Sequence, residues 1–267
     1  MPRSRVLLAL PCLLLAACAT SPLGRRQVIL VDDAQMDQMG VQAFEQLKSE
    51  GTLSNDASTN AYVTCVAKAI TDVLPPELAG NWEVRVFQDD AANAFALPGN
   101  KIGVHTGLLQ VAKDQDQLAT VLGHEVAHVL ARHGSERVST QAVAQGGVEL
   151  VGAILGAAGD PSSPLNSVAM QALGIGAGLG TMAYGRKHES EADLYGLDLM
   201  ARAGFDPRAS VPLWQNMAAA AGGDRPPEFL STHPSPESRI RDLQARIPQT
   251  LPLMEQARAA GRRPRCR

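Results

Sequence analysis

The sequence predicts a predominantly helical α+β fold in which a small antiparallel sheet lies beside one central helix. Three observations lead there. Apolar residues recur at helical spacing along most of the 267 residues. Only two short stretches, Trp82 to Phe87 and Ala94 to His105, read as strands. Aromatics are 4% of the chain against an apolar fraction of 45% and 24 glycines, so helices should pack through small residues rather than aromatic clusters. The length suits one domain with appendages.

Taken in order, Asp32 to Glu50 reads as a helix with Met36, Met39, Ala43 and Leu47 on one face. Asp56 to Leu74 is a second helix, stopped by Pro75-Pro76. Trp82, Val84 and Val86 alternate with Glu83 and Arg85 as a strand. Ala94 to Leu97, Pro98-Gly99-Asn100 and Ile102 to His105 form a hairpin. Leu118 to His133 is the central helix, capped by Asp114 or Asp116 and ended by Gly134. Val148 to Ala158 and Val168 to Ala183 are apolar and glycine-rich, and no Lys or Arg flanks the turn between them. Buried or lid-forming helices are expected there rather than a transmembrane hairpin. His188 to Ala203, Ser210 to Ala221 and Glu237 to Ile247 are the remaining helices. Residues 249–267 read as a basic tail, loosely ordered from Gln256.

The formal net charge of −3 carries no basic excess, which argues against a nucleic-acid footprint. Arg3 and Arg5 precede an apolar run from Val6 to Ala17, too short for a permanent span. The run ends in Leu15-Ala16-Ala17-Cys18, which resembles a bacterial lipoprotein signal. On that resemblance residues 1–17 are removed and Cys18 carries the lipid. Ala19 in place of Asp then points to the outer membrane, facing the periplasm. Residues 18–27 are read as anchor and linker, and residues 28–248 as the domain. Cys12 falls in the leader, so Cys65 and Cys266 remain, in a compartment where disulfides persist, and they are expected to pair.

His124-Glu125-Val126-Ala127-His128 fits H-E-x-x-H. Residues four apart on a helix differ by about 40° around the axis, so both imidazoles face one side. Two imidazoles on one face suit zinc, and Glu125 is placed to serve a metal-bound water as general base. A buried charged Glu between two His needs a partner, which a metal supplies. Zinc catalysis needs a third protein ligand, and the helix from Arg186 to Asp193 offers His188, Glu189, Glu191 and Asp193.

H-E-x-x-H followed by E-x-x-x-D resembles the zinc metallopeptidase family that includes the CAAX prenyl endopeptidase, HtpX, Oma1 and the β-barrel assembly-enhancing protease. The chain looks most like its small periplasmic lipoprotein members. The resemblance implies a zincin-like (gluzincin) fold, one Zn²⁺, Glu189 as third ligand and Asp193 behind a ligating histidine. It implies that Asn93, Ala94, Phe95 and Ala96 belong to a hairpin whose edge holds an extended peptide. Ser231-Thr232-His233-Pro234 with Arg239 resembles the family's H-P…R element. His233 would then approach the zinc, stabilising the oxyanion or taking the open position at rest, and Arg239 would orient that loop or the transition state. His105 and His133 are read as structural, and His188 as a solvent-facing residue. The expected substrates are unfolded or extended envelope polypeptides, with outer-membrane assembly machinery as the partner class. The competing expectation is a chaperone-like assembly factor whose site His233 holds closed.

Overall fold

The computed structural model describes residues 18–146, 185–221, 228–233 and 237–266. The two glycine-rich segments between residues 148 and 183 lie outside the described residues. Two strands, β1 (Cys18–Thr20) and β2 (Arg26–Val28), form an antiparallel ribbon. Then come α1 (Asp33–Glu50) and α2 (Ala57–Thr71), capped by the side chains of Asp32 and Asp56. Strands β3 (Glu83–Phe87), β4 (Ala94–Leu97) and β5 (Lys101–His105) make a three-stranded sheet of order β3-β5-β4. The helices that follow are α3 (Leu108–Val111), α4 (Gln115–Leu130), α5 (His133–Gly146), α6 (Arg186–Arg202), α7 (Ser210–Ala221), α8 (Phe229–Thr232) and α9 (Glu237–Ala259).

The sheet is mixed rather than wholly antiparallel. The β4–β5 hairpin is antiparallel, with Gly99 and Asn100 at φ 78° and 61° in its turn. The chain leaving β3 crosses to the far edge before β4 begins, so β5 returns between them and runs parallel to β3.

Helix α4 is the centre of the molecule. Asp114 accepts from the Gln117 N–H at 2.8 Å and sets its start. Every residue from Gln117 to His128 is buried. Helix α6 crosses it where Gly123 meets Gly196. A Cβ on Gly196 would lie 2.7 Å from Gly123 C and from His124 N, so only glycine permits this approach. The main core gathers Leu118, Leu122, Val126, Met200, Phe205 and Phe229 with α2 and the sheet.

Three further expectations change. The central helix does not run to His133 and Gly134 does not end it. Arg132 takes a left-handed φ of 55° and a new helix starts at His133. Residues 18–27 are not a free linker: they pair as the β1–β2 ribbon, with Ser21 and Gln27 buried. The Gln27 amide donates to Ala131 O at 2.7 Å and to Glu136 at 2.9 Å. Residues 249–266 are not a tail outside the domain, and the chain is not loose from Gln256 either. Helix α9 continues through Pro248 and Pro252 to Ala259, burying Thr250, Met254 and Ala257. Two Arg246–Asp198 hydrogen bonds and Arg258 Nε to Gly204 O fix it to α6 and its end. A Cys65–Cys266 disulfide closes the chain onto α2. Tertiary contacts outweigh the missing N–H groups of two prolines. No described helix is long and apolar enough to cross a membrane.

Candidate metal centre

Helix α4 supplies His124, Glu125 and His128, and α6 supplies Glu189 and Asp193, one turn apart on the face toward α4. His233 follows α8, and Arg239 comes from the first turn of α9. All seven side chains are buried, with 1% to 5% of each residue exposed.

The nitrogens and carboxylate oxygens converge. His124 Nε2 and His128 Nε2 are 3.0 Å apart. Glu189 places Oε2 3.5 Å from His124 Nε2 and Oε1 3.4 Å from His128 Nε2. His233 Nδ1 lies 3.1 Å from His124 Nε2 and 3.0 Å from Glu189 Oε1. One ligand atom from each of these four residues falls within 4.8 Å of the others. A tetrahedron of ligand atoms at about 2.0–2.1 Å from a central ion has edges of about 3.3 Å. The separations straddle that edge length, and the set is nitrogen and oxygen throughout, so the residues fit a tetrahedral divalent metal.

Behind the ligands, His124 Nδ1 faces Asp193 Oδ1 at 3.0 Å. Arg239 grips the same carboxylate through Nε (2.6 Å) and Nη2 (2.5 Å) and reaches Glu189 Oε2 at 2.9 Å. Its Nη1 also donates to the His233 carbonyl at 3.2 Å, and its guanidinium sits 3.8 Å from the Trp214 ring centroid. Arg239 thus ties the His233 backbone to Asp193 and Glu189.

The charges follow from burial and partners. Burial pushes the Glu125 carboxyl up, and the His233 and His124 charges only partly oppose it. A raised carboxyl suits proton transfer near neutrality. Glu125 Oε1 is buried with no hydrogen-bond partner among the described residues; His233 Nε2 is 3.3 Å away. Burial also pushes Glu189 up, but His233, His124 and His128 together hold it far below the usual range. His128 is driven well down by burial, which leaves its ring neutral. Burial and Arg239 lower His124, yet Asp193 and Glu189 outweigh them and lift it to about 9.

Most of the residues singled out from sequence meet here. Strand β4 packs against α4, and the Ala96 backbone lies near enough to Glu125 to oppose the rise of its carboxyl, so the β4 edge runs beside the site. A cleft of roughly 240 Å³ runs beside it, lined by Ala96, Leu97, His128, Arg132, Asp33 and Asp37 among others. Asn93 is buried and turns inward, its Oδ1 accepting from the Ala94 N–H and its carbonyl from the His105 N–H. Ala94 is buried in β4, while Phe95 packs against Phe44 and Phe87. Cys18 opens β1. His105 is structural as expected, packed between Phe87 and Phe95 with Asp89 3.6 Å away.

Two buried residues behind the ligands carry no site role in the sequence reading. His133 is fully buried, and its Nδ1 lies 2.9 Å from His128 Nδ1. Glu191 is also buried; its Oε2 meets His133 Nε2 at 3.1 Å and Arg25 Nε at 2.7 Å. Burial raises Glu191, but hydrogen bonds from His133, Ser21 and Arg25 prevail and hold it at about 2. His188 is part-buried rather than solvent-facing, 3.1 Å from Glu136. A third histidine within ten residues of His124 was the available signal. So were the mid-helix glycines Gly123 and Gly196, which mark a close crossing.

A helical α+β domain with a convergent His-His-Glu set on crossed helices defines a zincin-like metallopeptidase domain. The family model of peptidase family M48 matches residues 57–247, and the chain belongs to that family. It is 36% identical over 225 residues to the mitochondrial metalloendopeptidase OMA1 of Schizosaccharomyces pombe, covering 82% of this chain and 64% of that protein. It is 30% identical over 223 residues to the β-barrel assembly-enhancing protease of Escherichia coli, covering 82% and 45%. Human OMA1 is 32% identical over 245 residues, covering 87% and 46%. The chain thus spans about half to two thirds the length of the curated relatives it matches.

Proposed function

We propose that this protein is a zinc-dependent endopeptidase that hydrolyses peptide bonds in unfolded or extended cell-envelope polypeptides. The observation that carries the reading is the donor set of His124 Nε2, His128 Nε2 and Glu189, spaced at 3.0 to 3.5 Å in a buried site with Glu125 beside it. His124, His128 and Glu189 hold the ion, which when bound polarises a scissile carbonyl and lowers the pKa of water toward neutrality. Glu125 takes the proton of the attacking water and returns it to the leaving amine. Asp193 holds the proton on His124 Nδ1, so Nε2 is the nitrogen that gives up its proton to the ion. His233 Nε2, 3.3 Å from Glu125, is positioned to steady the developing oxyanion. The β4 edge beside Glu125 supports an extended substrate.

The envelope setting rests on the lipobox-like Leu15-Ala16-Ala17-Cys18 and on the likeness to the β-barrel assembly-enhancing protease of Escherichia coli. We place the protein at the outer membrane on a lipid at Cys18, facing the periplasm. One observation favours a second, resting form: His233 Nδ1 stands among the ligand atoms, where it fills the fourth corner. In that form the protein is a chaperone-like assembly factor with a closed site.

The test is Glu125→Gln. It keeps fold and zinc while cleavage of casein falls by about 10²–10⁴-fold. Undiminished cleavage removes Glu125 as the base.

A further inference from the structure

The two ligand histidines are supported differently. His124 has a carboxylate, Asp193, against its outer nitrogen. Against the outer nitrogen of His128 stands a second imidazole, that of His133, with the two Nδ1 atoms 2.9 Å apart. In a continuous helix residues five apart point about 140° away from each other and their rings do not meet. Here Arg132 breaks the helix at φ 55°, and α5 starts one residue later with the His133 ring turned back beneath His128. A non-glycine residue in the left-handed region is uncommon and held by its surroundings. Arg132 is held by Asp33 at 2.6 Å, and the carbonyl before it by the Gln27 amide.

The direction of the hydrogen bonds follows from donors and acceptors. Glu191, paired with Arg25, is a carboxylate and only accepts. Its donors are Ser21 Oγ, Arg25 Nε and His133 Nε2. His133 Nε2 therefore donates to Glu191. Two nitrogens 2.9 Å apart hold one proton between them, and with Nε2 of His133 already donating, His133 Nδ1 is the acceptor of the pair and the shared proton sits on His128 Nδ1. His128 Nε2 is then left bare, facing His124 Nε2 and Glu189 Oε1. Each bond fixes the next, from the ribbon to the ligand.

We propose that His133, Glu191 and Arg25 are positioning residues for the metal centre: a relay that holds His128 in its ligating tautomer and makes the ribbon behind Cys18 a working part of the site. Ser21 and Arg25 lie three and seven residues after Cys18 in the chain, and both end on Glu191. The segment that leads from the anchor to the domain thus carries the far end of the relay. Arg25 also binds Glu136 at 2.5 Å, which locks the ribbon onto α5.

The inference rests on His128 being a metal ligand, and the experiment separates the two claims. Full-length chain is stripped of metal and titrated with Zn²⁺ against a competing chelator, and with Co²⁺ to record the visible ligand-field bands. His128→Ala abolishes specific binding; retained binding refutes the metal reading itself. His133→Leu weakens zinc about 10–100-fold and alters the Co²⁺ bands. His133→Gln, whose amide both accepts and donates, recovers most of that loss. Arg25→Ala, at a side chain 23% exposed, weakens zinc in the same direction by less, because it acts through Glu191. Wild-type affinity and bands in His133→Leu overturn the relay while leaving the metal reading intact. Equal losses in the Leu and Gln variants overturn it too, since they assign the effect to packing. Should His133→Leu fail to fold, Arg25→Ala decides: unchanged affinity and bands remove the ribbon from the site.

Discussion

Replacing Gly196 with Ala tests the architecture that brings Glu189 to the histidines. In an ordinary helix the change stabilises, because glycine is about 1 kcal/mol worse than alanine. Here the new Cβ would lie 2.7 Å from Gly123 C and His124 N, against 3.4 Å for ordinary contact, so α6 must move by about 0.7 Å. The opposing atoms are backbone and have no rotamer to escape through. Glu189 and Asp193 ride on α6 within two turns of the crossing. Metal–ligand distances tolerate about 0.2 Å, so the displacement is several times what the site can absorb. Overpacking of this kind costs about 1–3 kcal/mol of stability. For a chain of this size that lowers the midpoint of metal-free thermal unfolding by roughly 2–12 °C. Zinc affinity falls by at least tenfold, since the loss of about 1.4 kcal/mol at the ligands already gives that factor. Calorimetry of the metal-free protein and chelator competition read the two effects separately. A Gly196→Ala protein that is more stable than wild type and binds zinc normally would refute the close crossing.

Two further predictions concern stability. Cys65→Ala with Cys266→Ala frees α9 from α2 across a separation of 201 residues and costs about 2–5 kcal/mol of stability, read from urea unfolding. Zinc affinity should hold in that variant, because the bridge sits near Gln115, about 13 Å along α4 from His124; an equal loss of zinc binding would contradict this separation. Glu136 and Glu191 are both held at about 2, below the 4.5 of a free glutamate, by Arg25 and their other partners. A depressed folded-state value means their stabilisation is complete above about pH 4.5 and is lost as the pH falls toward 2. Each is worth at most about 3 kcal/mol, and they share Arg25, so the two do not add. Metal-free urea midpoints between pH 6 and 2 should fall in that window, less steeply for Arg25→Ala; an identical slope would dismiss the ribbon's ion pairs.

What sequence made legible was local. The H-E-x-x-H and E-x-x-x-D spacings place side chains on one helix face whatever the rest of the chain does, and Asp114 marks the start of α4 by its own side chain. What it hid depends on partners far along the chain. The β1–β2 ribbon has no alternating pattern of its own; Arg25 and Gln27 order it by reaching Glu136 and Glu191. The break at Arg132 lacks a Gly or Pro at the left-handed position, so Gly134 two residues on drew the boundary to the wrong place. His133 reads as structural from sequence; a continuous helix keeps residues five apart on different faces, and only the break brings it under His128. Pro248 and Pro252 signalled an end that the disulfide and the arginine contacts of α9 override.

The central claim is a single catalytic zinc on His124, His128 and Glu189. Anomalous scattering at the zinc edge from crystals of the purified full-length protein tests it most directly. The account predicts one peak, about 2.0–2.1 Å from His124 Nε2, His128 Nε2 and a Glu189 oxygen. A zinc-replete crystal with no peak between those three groups, or with its only peak on other residues, would contradict it.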